Sequence, residues 1–246
     1  MATSRERRPD LPGAGSSAGV ARVGAGDDAV DRPPQFRYVV VLVLALAVVV
    51  FEIAAPSADW SRAVGVAIEG LALVVTIATS REHSSVRRRR AAAVGLSVIV
   101  MVTLIAVGLA PRWFTAAFAA VVTAAIPIAL VRGLLRLLVE RGVTIEAVAG
   151  AVAIYLTLGL IFSWVIAFVA QLGGSTPYFA QGTSGSQGDK VYFSFTVLTT
   201  TGFGDFTPAT SLGHGIAVIE MLTGQLYLVT VIGLLVGNFA ARRRPD

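Results

Sequence analysis

Six long apolar runs, with almost no charge inside them, set the limits on what this 246-residue chain can fold into. Residues 38–51 are uncharged and continue past Glu52 to Ala55, and residues 63–80 are interrupted only by Glu69. Residues 91–111, 113–131 and 147–172 carry no charge, and residues 216–241 contain only Glu220. A bilayer core about 30 Å thick is crossed by roughly 20 apolar helical residues, so each run is long enough to span or nearly so. Charged residues make up 14% of the chain against 55% hydrophobic, whereas soluble domains run near 25% charged. A soluble globular fold is excluded. The runs predict an all-α membrane protein with six transmembrane helices.

Nineteen of the twenty basic residues are Arg, and the sequence pI is about 10.2. Their placement argues for a membrane topology and against a nucleic-acid partner. Six precede the first run, five lie between the second and third (Arg81, Arg87, Arg88, Arg89 and Arg90), and three lie between the fourth and fifth (Arg132, Arg136 and Arg141). Three more close the chain as Arg242, Arg243 and Arg244, and the opposite side receives only Arg62, Arg112 and Lys190. Positive residues stay on the cytoplasmic side. Both termini are therefore expected inside the cell membrane, which requires an even number of spans. The clusters Arg87 to Arg90 and Arg242 to Arg244 are candidates for anionic lipid headgroups, with ordinary topology signalling as the plainer reading.

Enzyme chemistry finds little to work with. The chain has no Cys, so disulfides and thiolate metal sites are excluded. Its only histidines are His83 and His214, and no carboxylates pair at metal or acid–base spacing. No cofactor and no catalytic residue are expected. The glycine-rich "GAGSSAG" at residues 13–19 lacks the strand before it and the apolar helix after it that a dinucleotide loop requires. Residues 1–35 read as a disordered cytoplasmic tail. The short connections within residues 36–143 predict antiparallel helical hairpins. Residues 131–143 read as an interfacial amphipathic linker, because Arg132 and Arg136 share a helix face among leucines. Simple positive-inside anchoring explains those arginines equally well.

The pattern changes between the fifth and sixth runs. A Gly/Ser/Thr/Gln loop over residues 173–190 leads into "VYFSFTVL" (191–198), which is apolar and aromatic but far too short to span. "TTTGFGDFTP" (199–208) follows it. Non-helical backbone at membrane depth is tolerated only where it is buried in protein or lines a water-filled cavity. A re-entrant segment is predicted. Gly202 and Gly204 can adopt positive φ at little steric cost, which lets successive carbonyls turn to one side.

"YFSFTVLTTTGFGDFTP", residues 192–208, resembles the pore loop of tetrameric potassium channels, whose signature reads Thr-Val-Gly-Tyr-Gly-Asp. The resemblance covers about residues 147–241 and implies an outer helix, a re-entrant pore helix, a selectivity filter and an inner helix. Residues 144–246 would then form a pore domain and the chain a homotetramer. The carbonyls of Thr200, Thr201, Gly202 and Phe203 would bind K+, the Thr200 hydroxyl would complete the innermost site, and Gly204 with Asp205 would shape the outer mouth. Potassium would be a permeant ion and not a cofactor. Thr201 stands where the family usually has Val and Phe203 where it usually has Tyr. The missing phenol hydroxyl points to a less rigid filter, so a weakly selective monovalent cation channel is the alternative. A membrane sensor or enzyme with a structural glycine loop is a further one.

Gly224, twenty residues after Gly204, falls near the family's gating hinge, although small residues also let membrane helices pack closely. Glu220 is placed either behind the filter or as an outer-end charge. The fourth run lacks the repeated Arg of a voltage sensor. Glu52 and Glu69 are expected to pair with Arg62 or Arg112.

Overall fold

A computed structural model describes residues 37–79 and 84–241. The expected tail over residues 1–35, Arg81, His83 and the Arg242 to Arg244 cluster lie outside the described residues. So do the side chains of Arg136 and Arg141.

The described residues are helical, with a single isolated β-bridge. The order is α1 (Arg37–Ala54), α2 (Asp59–Thr79), α3 (Ser84–Ala106), α4 (Arg112–Arg141), α5 (Ile145–Leu172), α6 (Gln187–Leu198) and α7 (Ser211–Tyr227). A π-helical turn over Leu228–Ile232 joins α7 to α8 (Gly233–Ala241). Five of the spans are long and apolar enough to cross a membrane: Asp59–Ala78, Ser85–Ala106, Arg112–Val139, Ile145–Leu172 and Ser211–Gly237. The first run forms the shorter apolar helix Tyr38–Ala54.

α5 is the central element, packing on α1, α4, α6 and α7. Its buried face is built of small residues, including Ala147, Gly150, Ala151, Ala153 and Gly159. Small side chains let helix backbones approach closely where lipid supplies no hydrophobic drive between helices. Two apolar clusters fill the bundle. One joins Val41 of α1, Leu73 of α2, Ile126 and Leu130 of α4, and Ile154 of α5. The other joins Val66 of α2, Met101 and Ile105 of α3, Ala119 of α4, and Trp164 of α5.

Several expectations for the first four spans change. α3 begins at Ser84, so Arg87 to Arg90 lie on its first turns and not in a connecting loop. The segment expected as a separate interfacial linker is the end of α4, a continuous 30-residue helix about 45 Å long. Leucines on the same face as the core keep it helical: Leu130 and Leu134 stay buried. α3 and α4 do not close into a tight hairpin. α3 packs chiefly along α2, and an apolar cleft of about 430 Å³ lined by Leu96, Val100, Leu104, Phe114 and Phe118 lies between parts of α3 and α4.

The expected pairing of Glu69 with Arg62 is also replaced. Arg62 pairs with Asp59, one turn away on α2. Glu69 is buried and accepts hydrogen bonds from Trp164 Nε1 at 2.7 Å and Thr123 Oγ1 at 3.0 Å. A carboxylate nearly three turns along α2 from Asp59, Arg62's exposed partner, meets polar donors of α4 and α5 instead of the guanidinium. Glu69 thus ties α2 to α4 and α5.

Candidate functional site

α6 is a 12-residue helix, about 18 Å long and too short to cross a bilayer. Its start is fixed by a capping box. Ser186 Oγ accepts from the Asp189 amide at 3.1 Å, and the Asp189 carboxylate accepts from the Ser186 amide at 2.7 Å. Phe195 seats its ring over Gly159 of α5, where a Cβ would stand 2.7 Å from the ring. Val191 packs with Val48 and Val49 of α1 and Leu160 of α5.

At its C-terminal end the chain folds back on the helix. The amides of Thr199, Thr200, Thr201 and Gly202 donate to the carbonyls of Phe195, Val197, Thr196 and again Thr196, at 3.1, 2.9, 2.8 and 3.1 Å. These bonds satisfy the orphan carbonyls that end any helix. They also turn the donor side of the loop toward α6. Every second residue beyond takes the left-handed region: Thr200 at φ +58°, Gly202 at +52° and Gly204 at +82°. Thr200 is the one non-glycine with positive φ among the described residues, a conformation costing about 1–2 kcal/mol. Among the described residues, no donor reaches the carbonyls of Thr200, Thr201, Gly202 or Phe203.

Side chains brace this backbone. Thr199 donates to the Phe195 carbonyl at 2.7 Å, which uses its only proton. Thr201, 2.9 Å from Thr199 Oγ1, therefore donates to it. Gln225 Nε2 of α7 donates to Thr200 Oγ1 at 2.9 Å. Phe203 stacks on Tyr192 with ring planes 4° apart and centroids 6.4 Å apart. Asp205 is a hydrogen-bonding neighbour of the Tyr192 hydroxyl and holds that phenol above its usual pKa. Behind the loop, Phe179 meets Tyr178, Phe193 and Phe206 at 5.0, 5.2 and 4.9 Å between centroids. The loop before α6 is pinned to the loop after it by Ala180 N to Thr207 O and Ala209 N to Tyr178 O, both 2.8 Å.

Residues 148–240 match a family model described as an ion channel. This segment is similar to an ion channel domain. It begins in α5 and ends in α8, so α1 to α4 lie outside the match. No curated protein matched the chain, and no solved structure did.

Within the matched segment, residues 199–205 are exposed on the single chain, Phe203 to 70%. Among the described residues no three His, Asp or Glu side chains gather into a cation site. The oxygens presented at the loop are backbone carbonyls, Thr hydroxyls and the single Asp205 carboxylate.

Glu220 lies behind the loop and not at an outer end: it is fully buried and contacts Ser194 of α6. Ser194 Oγ also stands 2.6 Å from the Gly159 carbonyl. Ser194 has one proton and a carbonyl only accepts. Both contacts are satisfied together when Ser194 donates to Gly159 and Glu220 donates to Ser194. One serine so links α5, α6 and α7.

Gly224 is helical and buried, and a Cβ there would stand 2.3 Å from the Leu198 carbonyl. α7 crosses the end of α6 at this point because nothing but hydrogen fits between them. One turn further the matched segment holds the π-helical turn Leu228–Ile232, which no sequence signal predicts. It has no Pro and no Gly to announce it. Tyr227, just before it, donates to the Ala151 carbonyl of α5 at 2.7 Å.

Proposed function

We propose that the chain assembles as a homotetramer forming a passive, potassium-selective channel. The observation that carries this reading is the loop 200–204, with alternate left-handed residues, the amides of residues 200–202 committed to α6 and four consecutive carbonyls without a donor. A desolvated cation needs its hydration oxygens replaced, and rings of such carbonyls from four chains supply them. One chain presents this ladder on an exposed edge, so a closed ring needs further copies. The carbonyls of Thr200, Thr201, Gly202 and Phe203 are the K+ ligands in this reading, and the Thr200 hydroxyl completes the innermost site. Gly204 and Asp205 form the outer mouth. α6 is the re-entrant pore helix between spans five and six, and its C-terminal end carries roughly half a negative charge toward the ion. Residues 36–143 are a four-helix region beside the pore domain 144–246, with both termini cytoplasmic. Bi-ionic recordings with potassium on one side and sodium on the other test selectivity: the reversal potential is expected far on the potassium side, and one near zero contradicts it.

A second reading, a weakly selective monovalent cation channel, is favoured by Phe203. Its ring is held by stacking on Tyr192 alone and has no hydroxyl to anchor the ladder's outer half. Phe203→Tyr separates the two. A gain in selectivity or in open lifetime supports the weaker filter, and unchanged values dismiss it.

A further inference from the structure

The three basic residues that the charge asymmetry leaves opposite the arginine-rich ends are far apart in sequence, yet they line one cavity. Arg62 of α2, Arg112 at the start of α4 and Lys190 of α6 surround a space of about 280 Å³. Its other walls include Glu52, Ser61 and Ser186. At roughly 30 Å³ per liquid water the space holds about nine water volumes, enough for a tetrahedral oxoanion and its hydration.

We propose that this cavity binds a phosphate-bearing anion through Arg62, Arg112 and Lys190, with the Ser61 hydroxyl as an added donor.

Each donor has unused capacity. Asp59 engages Arg62 through Nη2, while Nη1 is buried without a partner. A guanidinium fork with one free nitrogen matches a phosphate oxygen. Ser61 is 6% exposed, and its hydroxyl has no partner. Lys190 is equally buried and donates to the carbonyls of Gly185 at 2.6 Å and Ser186 at 3.1 Å, leaving a third N–H. Burial, which outweighs the stabilising Asp189 carboxylate, pulls the Lys190 ammonium down to about 8, and Arg112 adds a smaller like-charge repulsion. An anion among these cations relieves that crowding. The cap of α6, Ser186, also lines the cavity, so the positive end of a 12-residue helix faces it.

Two nearby carboxylates offset part of this charge but are already engaged elsewhere. Asp59 is held by Arg62, and Asp189 caps α6. Glu52 is the exception, 6% exposed with Oε1 unpartnered. It is pressed against α2 at Gly65, where a Cβ would stand 2.0 Å from that oxygen. It asks for a hydroxyl donor, which a monohydrogen or dihydrogen phosphate supplies, as does the glycerol of a phosphatidylglycerol headgroup. The shared chemistry is a phosphate oxoanion with a hydroxyl close by.

The test uses the full chain purified in detergent and titrated separately with inorganic phosphate and with short-chain phosphatidylglycerol, binding being read by native mass spectrometry. Binding of the lipid but not of free phosphate identifies a headgroup site, and binding of free phosphate identifies a soluble ligand. In either case Arg112→Ala and Arg62→Ala are each expected to weaken binding about tenfold, the loss of one charge-assisted hydrogen bond. Ser61→Ala, which only removes a buried hydroxyl, guards against misfolding of the Arg variants and is expected to weaken binding severalfold. The proposal is overturned if neither probe binds the wild type, or if whichever probe binds it binds Ser61→Ala and Arg112→Ala as tightly.

Discussion

The Gln225 amide of α7 donates to the Thr200 hydroxyl over 2.9 Å, joining the helix that follows the glycine loop to the loop's innermost residue. Thr200 is also the residue whose left-handed backbone begins the alternation. One hydrogen bond therefore couples α7 to the first proposed ion site.

Gln225→Ala removes that bond, worth about 1 kcal/mol net, a factor of roughly five in an equilibrium between ordered and collapsed loops. Single-channel recordings are expected to show open dwell times shortened by about that factor, with the pore still permeable. Gln225→Glu, which cannot donate when ionised, is expected to behave like the alanine variant.

Gly224 separates close packing from hinging. A Cβ there would stand 2.3 Å from the Leu198 carbonyl, a backbone atom that cannot swing aside. Gly224→Ala is expected to cost about 1–3 kcal/mol as overpacking, read as a lower thermal midpoint of the assembled protein. Gly95→Ala in α3, where nothing lies within 4 Å, is expected to be neutral or slightly stabilising. A Gly224→Ala protein of unchanged stability but altered gating identifies a hinge instead.

The Ser194–Glu220 contact makes a further distinction. A glutamine at position 220 keeps a donor for Ser194, so Glu220→Gln is expected to stay close to wild-type stability. Glu220→Ala leaves a buried hydroxyl without its second partner and opens a cavity between α6 and α7. A loss of about 2–5 kcal/mol is expected in denaturation of the assembled protein. Equal losses for both variants contradict the proton count at Ser194.

Much of the segment from α5 to α8 was legible in the sequence because its signals are local. A short aromatic helix, a run of polar residues and two glycines two apart predict a backbone that doubles back. The positive φ angles at Gly202 and Gly204 are what those residues make inexpensive. Thr200 shares that conformation without any glycine signal, since its place is fixed by the amides gathered on α6 and by Gln225. The features that were not legible depend on tertiary contact. Nothing around Glu69 in sequence indicates that Trp164, 95 residues later, donates to it. The continuation of α4 through residues expected as a linker follows from core contacts of Leu134. The π-helical turn at Leu228–Ile232 lies in an unbroken apolar run with no residue to mark it.

The central claim is that the carbonyls of residues 200–203 conduct dehydrated potassium, and ion flux from liposomes containing the purified full chain tests it most directly. Efflux is expected for potassium and rubidium and only weakly for sodium, and Gly202→Ala, which forces a side chain onto a left-handed residue, is expected to abolish it. No flux of any of the three ions from a confirmed tetramer, or undiminished flux through Gly202→Ala, would contradict the account.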